Sequence, residues 1–159
     1  MKIKVTINNE VKEWEISPGD ILLDVLRREG YKGVKKGCGQ GECGACAILL
    51  NGRSVNSCMV LAADVDGMEI VTIEGIGSPD KPDILQKTLV EEGAVQCGFC
   101  TPGMVISSKY LFSKIPNPTE MDIKKYLDGN YCRCTGYVKI IKAVKKAANK
   151  INKSNKNQS

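Results

Sequence analysis

The run Gly37-Cys38-Gly39-Gln40-Gly41-Glu42-Cys43-Gly44-Ala45-Cys46 spaces three cysteines as C-x4-C-x2-C, the thiolate spacing that holds a 2Fe–2S cluster. Its glycines suit that chemistry. Residues without a Cβ let the backbone turn through positive φ and bring amide N–H groups close to sulfur. Such donors stabilise a negative cluster and raise its reduction potential. A fourth cysteine, Cys58, follows after eleven intervening residues, just past the turn signal Asn51-Gly52. A four-cysteine zinc site favours two C-x2–4-C pairs and fits this run less well. A cysteine nucleophile would need a base to activate it, and the chain has no histidine. Cys38, Cys43, Cys46 and Cys58 are therefore expected to hold one 2Fe–2S cluster.

Outward from this loop, residues 2–7 and 12–16 alternate with a period of two around Asn8-Asn9-Glu10, which reads as a β-hairpin. Residues 21–29 repeat apolar positions at helical spacing, with Asp20 as N-cap and Gly30 past the end. Residues 46–50 and 53–55 flank Asn51-Gly52 as a second hairpin, and 69–73 form a further strand. The stretch Gly75-Ile76-Gly77-Ser78-Pro79-Asp80-Lys81-Pro82 has the composition of a linker. Beyond it the pattern turns helical, with helices expected near 83–93, 102–114, 119–128 and 136–150. This is an α+β organisation: a β-rich unit over 1–75, a linker over 76–82, a helical unit over 83–150, and a disordered basic tail over 151–159.

Composition excludes several classes. With no histidine, the chain alone supplies no Ser-His-Asp triad, HExxH zinc site or His-ligated haem. The alternating N-terminus contains no signal-peptide core, and no stretch approaches the roughly 18 to 20 apolar residues of a membrane span. A cytoplasmic, reducing location is expected, where clustered cysteines are metal or redox groups rather than disulfides. After Asp128 there is no acidic residue, while Arg133 and seven lysines follow; residues 1–128 hold 15 basic and 18 acidic groups. The lysines are not interleaved with stacking aromatics, so a solvated helix face is expected rather than nucleic-acid binding.

The other four cysteines form Cys97-x2-Cys100 and Cys132-x-Cys134, with thirty-one residues between the pairs. Two close pairs would suit either zinc or a second 2Fe–2S cluster. Thr101, followed by Pro102, and Thr135 read as N-caps. Both pairs would then lie at helix N-termini. A four-thiolate cluster carries about −2 oxidised and −3 reduced, and each helix end is worth about 0.3–1 kcal/mol. Because a tenfold one-electron equilibrium shift is about 59 mV, two such ends would raise the potential by tens of millivolts.

Three runs carry a resemblance. The first-quartet loop, Gln96-Cys97-Gly98-Phe99-Cys100-Thr101-Pro102-Gly103-Met104, and Asn130-Tyr131-Cys132-Arg133-Cys134-Thr135-Gly136-Tyr137 resemble the small iron–sulfur subunit of the xanthine dehydrogenase family of molybdenum hydroxylases. The resemblance spans about residues 2–150, in the family's order and spacing. It implies a plant-type ferredoxin-like (β-grasp) domain followed by a four-helix bundle, each with one 2Fe–2S cluster. It makes Cys97, Cys100, Cys132 and Cys134 the second ligand set, and sets Gln96 and Cys134 beside the pterin as cofactor contacts. A large subunit would carry molybdopterin and a medium subunit FAD, with electrons passing from the first to the second through this chain.

The expected function is thus electron transfer within a multi-subunit molybdenum hydroxylase acting on a purine- or nicotinate-like substrate, with no catalytic residue and no substrate site on this chain. A free two-cluster carrier and a zinc-bound interaction module are the alternatives. The helical unit argues against the first, since a simple carrier needs no second cluster, and only the lysine tail supports the second.

Overall fold

Ile3, Val5 and Ile7 are buried where Lys2 and Lys4 are exposed, and this alternation builds the first strand of the computed structural model, which describes residues 1–156. Strand β1 (Lys2–Ile7) pairs antiparallel with β2 (Glu10–Glu15), from Lys2 opposite Glu15 to Ile7 opposite Glu10. The connection is tighter than the expected three-residue turn. Asn8 and Asn9 both adopt positive φ, 50° and 69°, a two-residue loop whose twist matches the strands, so β2 starts at Glu10.

Helix α1 (Leu22–Arg28) buries Leu22, Leu23, Val25 and Leu26 with Trp14, Ile48 and Ile70 in one apolar core. Asp20 does not cap it. Its carboxylate instead accepts from the Ser17 N–H (3.1 Å) and the Arg28 guanidinium (3.3 Å). A tertiary partner serves the helix start, where the Leu22 N–H donates to the Val60 carbonyl at 2.8 Å. The hairpin β3 (Ala47–Leu50) and β4 (Arg53–Asn56) turns on Asn51-Gly52, again with both residues at positive φ. Strand β5 (Glu69–Val71) completes a five-stranded sheet of order β2-β1-β5-β3-β4, in which β1 and β5 run parallel and the other pairs antiparallel. It stops two residues short of the expected end, because Asn8 captures Thr72. Thr72 N–H donates to Asn8 Oδ1 at 2.9 Å, and Asn8 Nδ2 donates to Thr72 Oγ1 at 3.0 Å.

Helices α2 (Ile84–Glu91), α3 (Thr101–Lys114), α4 (Glu120–Leu127) and α5 (Val138–Lys156) enclose a second core that includes Leu85, Leu89, Met104, Leu111, Ile123 and Val144. Capping boxes start two of them: Asp83 with Gln86 on α2, and Thr119 with Asp122 on α4. Thr101 and Thr135 are not caps. Cys100 is already in the right-handed helical region (φ −78°, ψ −17°), which makes Thr101 the first helical residue. Gly136 and Tyr137 sit at positive φ and delay α5 to Val138. The far end of α5 corrects a second expectation. Residues 151–156, expected in a disordered tail, continue the helix; they contain no glycine or proline, and Asn152 Nδ2 donates to the Pro116 carbonyl at 2.7 Å. The rest of that expected tail, residues 157–159, lies outside the described residues. Among the described residues no helix is long and apolar enough to cross a membrane.

The lysine-rich face of α5 is partnered from within. Glu92 meets Lys146 at 2.6 Å and Lys142 at 3.2 Å, and Glu91 meets Lys150 at 2.7 Å. Hydrogen bonds from Lys146 and then Lys142 hold the Glu92 carboxyl below the ordinary glutamate value of 4.5. A carboxyl with a lowered folded pKa contributes stability above its unfolded value and loses it as pH falls. Glu92→Gln should therefore lower the melting temperature at pH 7 more than Glu10→Gln, which loses a single exposed lysine contact. The gap should narrow as pH drops below 4.5, the ordinary glutamate value, as read by thermal melts across pH.

Candidate metal centres

The first quartet sits on the loop between α1 and β3 and on the short turn Ser57–Met59 that follows β4. Backbone N–H groups of Gln40, Glu42 and Cys43 converge on Cys38 Sγ at 3.3, 3.3 and 3.4 Å. The Cys38 N–H returns the contact to Cys43 Sγ at 3.4 Å. Those donors bring the Cys38 thiol down to about 6, so this sulfur is a ready thiolate. Burial acts the other way on Cys46, pushing it up to about 11 beside Cys58. Such a thiol ionises when a cation takes the place of its proton, so metal binding here releases protons. Asn56 Nδ2 pins the loop by donating to the Gly41 carbonyl at 2.8 Å.

The second quartet joins two loops, one before α3 and one before α5. Cys134 Sγ lies 3.6 Å from Cys97 Sγ. Burial, with Cys132 as its neighbour, pushes Cys100 up to about 12. At Cys132 burial also opposes ionisation, but the Thr135 hydroxyl and nearby amides outweigh it and lower the thiol. Thr135 Oγ1 donates to Cys132 Sγ at 3.2 Å and accepts from the Tyr137 N–H at 3.2 Å. Thr135 thus serves a sulfur in place of a helix end. The dipole reading consequently survives for α3, whose first turn begins at Cys100, and not for α5, which starts four residues beyond Cys134.

None of the eight cysteines is in a disulfide. They meet in pairs, Cys38 with Cys43, Cys46 with Cys58, Cys97 with Cys134, and Cys100 with Cys132. Among the described residues no three His, Cys, Asp or Glu side chains gather as around a single ion. Two thiols for each of two irons is the donor set of a 2Fe–2S cluster, and Gly37 leaves room for the Cys43 sulfur. A Cβ on Gly37 would stand 2.7 Å from Cys43 Sγ. Exposure within the quartets is uneven: Cys38, Cys97 and Cys134 are exposed, whereas Cys46 and Cys58 are buried. Gln96 is exposed beside Cys97, and exposed Phe99, Tyr137 and Val138 lie on or next to the two loops of the second quartet.

The two quartets are joined through backbone. The Tyr131 N–H donates to the Cys43 carbonyl at 3.0 Å, so a residue of the first quartet is bonded to the neighbour of Cys132. The adjacent Gly44 carbonyl accepts from Asn130 Nδ2 at 3.3 Å and from the Ala47 N–H at 3.2 Å. Helix α3 approaches the same carbonyl so closely that a Cβ on Gly103 would overlap it. Sequence reasoning gave Asn130, Tyr131 and Gly103 no role, since their partners at Cys43 and Gly44 lie in the other half of the chain. A groove of about 510 Å³ between α4 and α5, lined by Val138, Ile141 and lysines, includes no cysteine.

Comparison with known proteins fits this geometry. Residues 5–70 match the 2Fe-2S iron-sulfur cluster binding domain, and residues 72–145 match the [2Fe-2S] binding domain. The chain is 46% identical over 146 residues to the nicotinate dehydrogenase small FeS subunit of Eubacterium barkeri, covering 91% of this chain and 93% of that one. It superposes on quinoline 2-oxidoreductase from Pseudomonas putida 86 with TM-score 0.92 and 37% identity, over 96% of each chain. Against the aldehyde oxidoreductase of Desulfovibrio gigas the TM-score is 0.93 at 40% identity, over 97% of this chain but 17% of that much longer one.

Gly37→Ala tests the fit of the first site. The added methyl displaces Cys43 Sγ, and the purified protein should keep about half its iron and acid-labile sulfide, the share of one of two 2Fe–2S clusters.

Proposed function

Because this chain belongs to the family of small 2Fe–2S subunits of the molybdenum hydroxylases, we propose that Cys38, Cys43, Cys46 and Cys58 hold one cluster and Cys97, Cys100, Cys132 and Cys134 the other. The chain is the electron-transfer component of an oxidoreductase, and its partners are larger subunits. In finer terms, we read the sheet with α1 as a β-grasp unit and α2–α5 as a four-helix bundle. A bound 2Fe–2S cluster stores and releases one electron at a time.

The observation that carries this reading is the Tyr131 N–H to Cys43 carbonyl bond. It shortens the route between the quartets to covalent bonds and one hydrogen bond. We read the exposure pattern as marking two ends of that route. Cys97 and Cys134 open to solvent at one end, and Cys38 opens at the other. The amides on Cys38 Sγ hold charge at that exit, and Thr135 does the same at Cys132. Gln96 and Cys134 are exposed together where a molybdopterin-bearing large subunit would sit, with Phe99 and Val138 as apolar contacts. An FAD-bearing medium subunit would meet the Cys38 loop. The substrate class we favour is an N-heterocycle such as nicotinate or a purine, in keeping with the nicotinate dehydrogenase relative.

Purification of the native complex through this chain tests the reading. About four irons and four sulfides per copy, with co-eluting molybdenum and flavin chains, are expected; two zinc ions and no sulfide would end it. Cys43→Ser should leave substrate able to reduce molybdenum while flavin reduction slows greatly in stopped-flow traces. Cys134→Ser should impair reduction of the second cluster itself, and an assembled variant with wild-type rates would contradict its double role.

A further inference from the structure

The Asn130 side chain occupies the junction between the ligand loops. It is 5% exposed, and its amide nitrogen faces the Gly44 carbonyl at 3.3 Å across 86 residues of sequence. Gly44 has φ +67°, and a Cβ there would meet Asn130 Nδ2 at 2.5 Å and collide with the Gly129 carbonyl. Gly103 completes the closure, since a Cβ on it would overlap the Gly44 carbonyl and lie 3.2 Å from Asn130 Nδ2. The flanking residues are bonded as well: Asn130 N–H donates to the Leu127 carbonyl at 2.9 Å, and Tyr131 N–H to the Cys43 carbonyl at 3.0 Å.

We propose that Asn130 is a positioning residue that sets the separation of the two thiol loops. Resting on the ligand assignment above, this makes it a determinant of how fast electrons cross between the clusters. The physical reason is geometric. Cys43 and Cys132 are the nearest quartet members along the backbone bond, and that bond is only as constant as the contacts on either side of it. Gly44 follows Cys43, and Asn130 lies two residues before Cys132. An amide at position 130 can donate to the Gly44 carbonyl, and a carboxylate of the same shape cannot. The Gly44 carbonyl then keeps the Ala47 N–H but loses the donor that ties it to the second thiol loop, and a carboxylate set against that oxygen is repelled from it.

Asn130→Asp in the intact complex is the test, with Gly129→Ala as control, because a Cβ at Gly129 meets nothing. Three quantities are read: iron and sulfide content, the magnetic splitting between the two reduced clusters by electron paramagnetic resonance, and hydrogen exchange of the Tyr131 amide. Asn130→Asp should retain both cluster signals, weaken the splitting, speed Tyr131 exchange several-fold, and slow intercluster transfer several-fold with reduction of the second cluster unchanged. Should the aspartate variant not assemble, Asn130→Ala removes the donor without adding charge and is expected to act the same way. Wild-type splitting and wild-type Tyr131 exchange in the assembled variant would overturn the proposal. Absence of two cluster signals in the wild-type complex would instead overturn the ligand assignment on which it rests.

Discussion

A single carbonyl oxygen, that of Gly44, is the point around which the molecule is arranged. It belongs to the first thiol loop, yet its neighbours are Asn130 from the second thiol loop and the first turn of α3. No side chain larger than hydrogen fits at Gly44 or Gly103 without moving backbone. The close approach lets α3 pack against β3 and β4 while its N-terminus stays beside Cys100. Two apolar cores, each burying its own helices and strands, are thereby aligned where α3 meets the sheet, with the Gly44 carbonyl at the contact.

Charge is arranged with similar economy. Thiolates repel one another, and at the exposed Cys38 the backbone answers with three amide donors. Burial acts against ionisation at Cys46 and, with Cys132 beside it, at the partly buried Cys100. The lysines of α5 are drawn toward Glu91 and Glu92 at the end of α2, which gives the basic face a structural use within the chain.

Much of this was legible in the sequence, for identifiable reasons. Cysteine spacing, the alternation in β1 and the Asn51-Gly52 turn are local signals, and each leads to the element observed. Local reasoning failed where a tertiary partner took over a local role. Asp20 and Thr101 look like caps, but Val60 satisfies the start of α1, and the helical backbone of Cys100 displaces Thr101. Thr135 is spent on Cys132 and on the turn before α5. The pairing of Cys97 with Cys134, and the junction at Asn130, join positions 37 and 86 residues apart, which no periodicity records. The α5 terminus was missed because a lysine- and asparagine-rich segment reads as solvated, whereas Asn152 and Lys150 find partners on other elements.

The parallel pairing of β1 with β5 has a consequence for how the chain reaches this state. Thr6 stands opposite Glu69, so the strands at the middle of the sheet are brought together across nearly the whole first unit. Everything that carries the first quartet lies inside the loop they close. Closure entropy grows only slowly with loop length, about 0.6 kcal/mol per doubling, so the cost is not prohibitive. Order of events is affected more, because local hairpins form in microseconds while non-local pairings come late. The two Asn-initiated hairpins are therefore early structures, and the central seam is a late one. Until that seam closes, Cys38, Cys43, Cys46 and Cys58 lie on an open chain, and their thiols are accessible before the core that shields Cys46 and Cys58 is complete.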